Sequence, residues 1–178
     1  MKRYVIKQLL RLKLRATSRA SANAKILRET ERSLALLEGL SEMQRARSVR
    51  VPALMGVDED MRDWSLYQVL EHNTIVNRAF SRIISGLAQG RPIRGLGDPK
   101  KDVMPSAEPG ASSVDAFRAS VKEHLEILTS LPKLRRTGRH PHPVCGPLDA
   151  HGWHAFFGIH LAIHRAQMEA IRERLARI

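Results

Sequence analysis

The chain has one cysteine, Cys145, among its 178 residues. No internal disulfide can form, which excludes the cysteine-dense scaffolds of small secreted domains. No uninterrupted apolar run reaches the roughly 20 residues that a bilayer-spanning helix needs. These two absences predict a soluble protein of a reducing compartment, the cytoplasm. Aromatic residues make up 4% of the chain, too few for a base-stacking surface, so specific nucleic-acid recognition is not expected. The fingerprints GxxxxGK[ST], GxGxxG and HExxH are all missing. P-loop chemistry, a Rossmann dinucleotide site and zincin proteolysis therefore lack support. ExxH does not occur either, which argues against the di-iron bundles built from that motif.

What is present describes a folding chain. The hydrophobic content is 43% and the mean hydropathy −0.30, values of a globular protein and not of a disordered one. The length predicts one well-cored domain spanning residues 1–178. Acid is scarce at the start. Residues 1–50 hold 13 Lys or Arg against 4 Glu, while the other 128 residues are nearly balanced, with 17 basic and 14 acidic groups. MKRYVIKQLLRLKLRATSR carries seven basic residues, no acid, and Val, Ile and Leu at roughly helical spacing. Residues 1–18 thus read as a basic extension or as the start of helix one. Residues 2–19 are a candidate surface for a membrane or an acidic partner. No apolar core of 7 to 15 residues follows the basic start, so a secretory signal is not expected.

Apolar periodicity predicts four helices and no strand. Helix one covers 19–47, with Leu27, Leu34, Leu37 and Leu40 on its stripe. Helix two runs from Ser65 to near Gly90, with Val69, Val76, Phe80, Ile83 and Leu87 inward. Helix three starts at Ser112 or Ser113, either of which can cap it, and runs to about Ser130 before Pro132, with Val114, Phe117, Val121, Leu125 and Leu128 inward. RRTGRHPHPVCGPLDA has three prolines and two glycines, which forbid a regular helix until Asp149. Helix four occupies 149–177. Four amphipathic helices bury their stripes most simply as an all-α four-helix bundle with long connecting loops. The Gly- and Pro-rich loop 91–112 and the loop before helix four are the expected seats of substrate specificity.

Helix four places Trp153, Phe157, His160, His164, Gln167, Ile171, Leu175 and Ile178 within one arc. A buried imidazole must satisfy two ring nitrogens, so leucine would be less costly at positions 160 and 164 unless something binds there. An i, i+4 histidine pair aims both rings at one point, as a divalent metal requires. His72 lies on or beside the inward stripe of helix two. Three neutral imidazoles, His72, His160 and His164, would leave coordination positions open, the pattern of a catalytic zinc site. Gln167, His142, His154 and Trp153 are candidates to support the site or line its pocket, His151 sits in the same cluster at the entry to helix four, and Glu71 is a weaker candidate expected to face solvent. For His142, His151 and His154 a surface or capping role weighs as much. His124 has no expected role, and Cys145 is a minor candidate nucleophile.

WSLYQVLEHN, residues 64–73, and HPVCGPLDAHGWHAFFGIHLAIHRAQ, residues 142–167, resemble the DinB/YfiT-like superfamily of metal-dependent enzymes. A Trp and a small polar residue open helix two before a histidine, and HP, Gly and Trp lead into HxxxH followed by Gln. The resemblance covers most of residues 60–175. It implies a four-helix bundle, often dimeric, that binds zinc or nickel through His72, His160 and His164, and a small-molecule substrate, with thiol-dependent transferases and isomerases among the family's activities. Asn73, where an apolar residue is common, and the basic N-terminal segment depart from the pattern. The expected function is a metal-dependent hydrolase or low-molecular-weight thiol S-transferase. The alternative is a non-catalytic interaction protein that uses its basic N-terminal helix, with a structural metal or none.

Overall fold

A computed structural model describes residues 2–93, 101–131 and 133–178, with side chains from Lys7 onward. Helix α1 spans Lys2–Ala16, α2 Arg19–Ala35, α3 Glu42–Ala46, α4 Leu66–Gln89, α5 Ser112–Ser130 and α6 Ala150–Leu175. A 3-10 turn covers Glu59–Met61, and strands β1 (His140–His142) and β2 (Gly146–Leu148) form a small hairpin. Residues 94–100 of the expected specificity loop lie outside the described residues.

Local chemistry fixes the helix boundaries. Ser65 accepts from the Gln68 amide and Gln68 reaches back to the Ser65 amide, a capping box that starts α4. Gly90, at φ 66°, ends it in the left-handed conformation that glycine tolerates. Asp149 caps α6 by accepting from Gly152 N. Helix α5 differs from expectation: Ala111 is its N-cap and makes no side-chain bond, so neither Ser112 nor Ser113 caps it.

The four long helices α2, α6, α4 and α5 close a ring in which each packs on the next. Helices α4 and α5 are parallel, because Asn77 bonds to Ser120 and, one turn on, Ser81 to His124. The connection 90–111 must therefore travel back along the bundle. Helices α2 and α6 are also parallel and approach closely at Gly158, where an added Cβ would lie 3.1 Å from Lys25 Cγ. Phe117, Phe157, Leu70, Ile84, Leu161 and Met168 are fully buried between the layers.

Part of the positive charge acts inside the fold. Arg172 donates to the Leu36 and Glu38 carbonyls beyond the end of α2. Arg19 donates to Leu128 O and Leu131 O at the end of α5. Arg135 donates to Arg15 O and Thr17 O at the end of α1. Each cation meets carbonyls at or just beyond a helix C-terminus, where the negative pole of the helix lies.

Three sequence expectations need correction. Helix one does not run through 19–47. It stops at Ala35, Gly39 takes φ 74°, and Ser41 and Gln44 form a new capping box that begins α3. Leu27 is 48% exposed while Ile26 is buried, so the true stripe is shifted by one residue. Residues 140–148 form strands although no strand was expected. Pro141 sits directly opposite Pro147, a position in the ladder that requires no N–H from either. Ile178, expected on the α6 stripe, is 70% exposed beyond that helix, whereas residues 2–16 form a helix separate from α2, in line with the reading of the basic segment as an extension.

Glu29 of α2 is buried and accepts from Arg165 Nε of α6 at 2.7 Å. Burial raises its pKa, but the Arg165 bond and the charges of Lys25, Arg165 and Arg32 outweigh that and hold the carboxyl below its ordinary value. A depressed folded pKa gives stability that is complete above the unfolded pKa of about 4.3 and lost as pH falls through the folded value. Glu29→Gln is expected to cost about 1–3 kcal/mol at pH 7. In urea titrations the two proteins should converge below about pH 4. A gap that persists unchanged in acid would show that packing, not charge, carries the contribution.

Candidate metal centre

Helices α4 and α6 run antiparallel, so His72 near the start of α4 meets His160 and His164 around the middle of α6. The ring centroids lie 4.5 Å apart for His72–His164, 4.5 Å for His160–His164 and 5.4 Å for His72–His160. One ring nitrogen from each residue lies within 4.8 Å of the other two. His72 and His164 are buried, while His160 keeps partial exposure.

Hydrogen bonds decide which nitrogens are free. His72 Nδ1 lies 2.7 Å from Val103 O. A carbonyl only accepts, so Nδ1 carries the proton and Nε2 keeps its lone pair. That Nε2 is buried with no partner among the described residues. Gln167 Nε2 donates to Met61 O at 2.6 Å, which turns Gln167 Oε1 toward His164 Nδ1, 2.8 Å away. His164 Nδ1 is therefore the donor, and its Nε2 is likewise left as a lone pair. These outer bonds fix tautomer and ring orientation, as in histidines that ligate metals.

Burial sets the charge state. It lowers the His72 pKa to about 4 despite the bond to Val103. It lowers that of His164 to about 3, with further lowering from His72 and a partial offset from Gln167. His160 falls well below its ordinary value through burial and the neighbouring His164, His72 and His142. All three imidazoles are neutral at pH 7, the state that ligates. Trp64 packs on His72 with centroids 5.1 Å apart, and Phe80 meets His160 edge-on at 5.6 Å. These apolar walls shield two of the rings. An orphaned buried Nε2, three neutral donors and outer protons committed on His72 and His164 form a donor set that fits a metal ion.

The supporting candidates scatter. Gln167 sits at the cluster. His142 packs on Trp153 and Phe156, and its Nδ1 accepts from Val144 N and Cys145 N, closing the hairpin turn. Trp153 packs on Phe80 and donates to His140 O. Both are one aromatic layer from the three rings. His151 donates to Thr17 O. His142, His151 and His154 are all buried, against the surface role weighed for them, while His142 and His151 do serve backbone groups at a turn and a helix end. Glu71 accepts from the amide and hydroxyl of Ser106, anchoring the loop that carries Val103 where solvent exposure alone was expected. Cys145 is buried, and burial lifts its thiol to about 11 against the pull of Lys7 and Arg11, so it is no neutral-pH nucleophile.

His124, assigned no role from sequence, is fully buried and stacked on Phe157 at 4.0 Å. Ser81 Oγ donates to Asn77 O, so His124 Nδ1 donates to Ser81 Oγ at 2.9 Å. His124 Nε2 then accepts from His154 Nδ1 at 3.1 Å. Phe80 and Phe157 lie between this second network and His160. The signal was present in the sequence: Phe117, Val121, His124 and Leu128 recur at helical spacing.

Burial lowers His124 to about 3 and His154 to about 4, with mutual or neighbouring positive charge adding to it. Such groups cost nothing above the unfolded pKa of about 6.5, but below it the unfolded chain takes up protons that the fold refuses. With chelator present, stability is expected to fall from about pH 6.5 toward the folded values, by up to about 1.4 kcal/mol per pH unit for each such imidazole. His124→Leu should make that slope shallower in denaturant titrations. An unchanged slope would remove His124 from the acid response.

The sequence model of the DinB superfamily matches residues 25–168. That span runs from within α2 through most of α6 and includes His72, His160 and His164. A search of the curated proteins finds no match. No helix among the described residues is long and apolar enough to cross a membrane. The chain belongs to the DinB superfamily.

Proposed function

We propose that His72, His160 and His164 hold one divalent metal ion, zinc or nickel, and that the chain is a metal-dependent enzyme, a hydrolase or a thiol S-transferase acting on a small molecule. The observation that carries this reading is the buried, unpartnered Nε2 of His72, beside two further imidazoles that are neutral at pH 7. Without a ligand it would be a desolvated acceptor with nothing to accept, which costs about 1–3 kcal/mol.

When bound, a divalent ion on three neutral ligands supplies Lewis acidity and an uncompensated positive charge that lowers the pKa of a water or thiol. The chain's own residues do the rest. Val103 O holds the His72 proton on Nδ1, and Gln167, itself fixed by Met61 O, does the same for His164. Trp64 and Phe80 keep bulk water from the rings, which preserves their neutrality. His160, the partly exposed member, faces the side from which a substrate approaches. No carboxylate joins the cluster among the described residues.

Elemental analysis of the untagged protein is expected to find about one zinc or nickel per chain, and none in the His72→Ala, His160→Ala and His164→Ala variants. Gln167→Leu should weaken metal affinity by about 10- to 100-fold while keeping the fold. A chain that stays metal-free after incubation with both ions, with variants as stable as the parent, would sink the proposal. Metal bound in full, with activity per folded molecule unchanged in His164→Ala, would make the ion a structural staple.

A further inference from the structure

The least balanced charge outside the histidine cluster lies where α1, the hairpin and the start of α6 meet. Lys7, Arg11 and Arg15 recur every four residues and so form one stripe of α1. The stripe rests on the hairpin: a Cβ on Gly146 would lie 3.1 Å from Lys7 Nζ. Arg135 and Arg139, from the segment before the hairpin, face it. Between them is a cavity of about 50 Å³ lined by Arg11, Arg15, Arg135 and Arg139, with Asp149 and His151 at its edge. A space of this size suits one small oxyanion better than a larger organic ligand.

Four guanidinium groups around one small cavity repel one another, and its lining contains a single carboxylate. That carboxylate is committed. Asp149 Oδ1 accepts from Gly152 N at 2.9 Å and Oδ2 from Arg136 N at 3.3 Å. Arg135 is committed to the α1 carbonyls. Arg11, Arg15 and Arg139 make no ion pair among the described residues. A second cavity of about 240 Å³, lined by Arg19, Lys133, Leu134, Arg135 and His151, shares two of its walls with the first.

We infer that the smaller cavity receives a phosphate group, free or as a monoester, and that the larger one takes the remainder of an esterified ligand. Guanidinium donors arriving from α1 and from the opposite segment match a doubly charged tetrahedral oxyanion, whereas a carboxylate would engage one fork and leave the others unpaired. The site shares no residue with the three-histidine cluster, and its occupancy does not depend on metal. The same headgroup chemistry has two sources, a soluble phosphate ester or a phosphatidic acid headgroup. The second is served by Leu9 and Leu12, both more than half exposed on α1.

Titration calorimetry of the full chain with inorganic phosphate, at ionic strength held constant with chloride, tests this. Flotation with phosphatidylcholine vesicles, with and without phosphatidic acid, runs beside it. Phosphate is expected to bind one per chain. Arg11→Gln and Arg139→Gln should each weaken it by about tenfold or more with helical circular dichroism unchanged, and Lys13→Gln, on the exposed face of α1, should not. Burial and then the charge of Arg135 push the His151 pKa down; a phosphate beside Arg135 opposes the second effect, so the His151 ring should titrate higher in NMR spectra once phosphate is added. Binding only to vesicles that contain phosphatidic acid, lost in Arg11→Gln and Arg139→Gln, upholds the site with a lipid as its source. No binding in either arm, or equal weakening by Lys13→Gln, overturns it.

Discussion

The structure turns on the need to keep imidazoles neutral and oriented in a largely buried space. A buried histidine has one proton to place and one lone pair to satisfy. In the three-histidine cluster, the acceptors for the placed protons come from outside the two helices that carry the histidines or depend on something outside them. Val103 belongs to the crossover between α4 and α5, and Gln167 is aimed by Met61 of the 3-10 turn. Glu71 and Gln68 of α4 in turn grip Ser106 and Ala107 of the same crossover. Two of the three rings are oriented through loops, and the crossover loop is held by the helix that carries His72.

The bundle direction makes this arrangement possible. With α4 and α5 parallel, the chain must return along the bundle before α5 begins, and that return brings Val103 over the first turns of α4. The parallel pairing also aligns Asn77 with Ser120 and Ser81 with His124, which gives the α4–α5 seam a polar interior. Phe80 and Phe157 divide this seam from the three-histidine cluster. One layer of phenyl rings thus separates two histidine networks in a single core. Asn73 sits on the same seam, one turn before Asn77, and neither of its amide atoms finds a partner among the described residues.

Much of this was legible in the sequence because it is periodic. The long stripes of α4, α5 and α6 follow 3.6-residue spacing, and His160 and His164 fall on theirs without a break. What was not legible lacks a period. The end of α2 was hidden because Leu34, Leu37 and Leu40 continue a helical rhythm across a segment that Gly39 and the Ser41 cap interrupt. The hairpin was hidden because its strands are three residues long and each carries a proline. The partners of His72 and His164 are backbone carbonyls and a side-chain amide brought in by loops, and no residue type announces a carbonyl. His124 was passed over because its neighbour Glu123 pointed to a solvent face, although the stripe of Phe117, Val121 and Leu128 included it.

The formal charge of +12 divides into cations with duties inside the fold and cations without them. Arg19, Arg135 and Arg172 close helix ends, and Arg165 neutralises Glu29. The stripe of α1 has no such duty, and it is placed by contacts to the hairpin and to α6. Helix α6 is shared by everything: it contributes to both histidine networks, seats α1, and packs on both α2 and α4. Without α6, His72 would keep Val103 O and His124 would keep Ser81 Oγ, but His160, His164 and His154 would be missing and the stripes of α2 and α4 would lose the helix that lies between them. Closure of the core and completion of both histidine networks are therefore one event, the docking of α6.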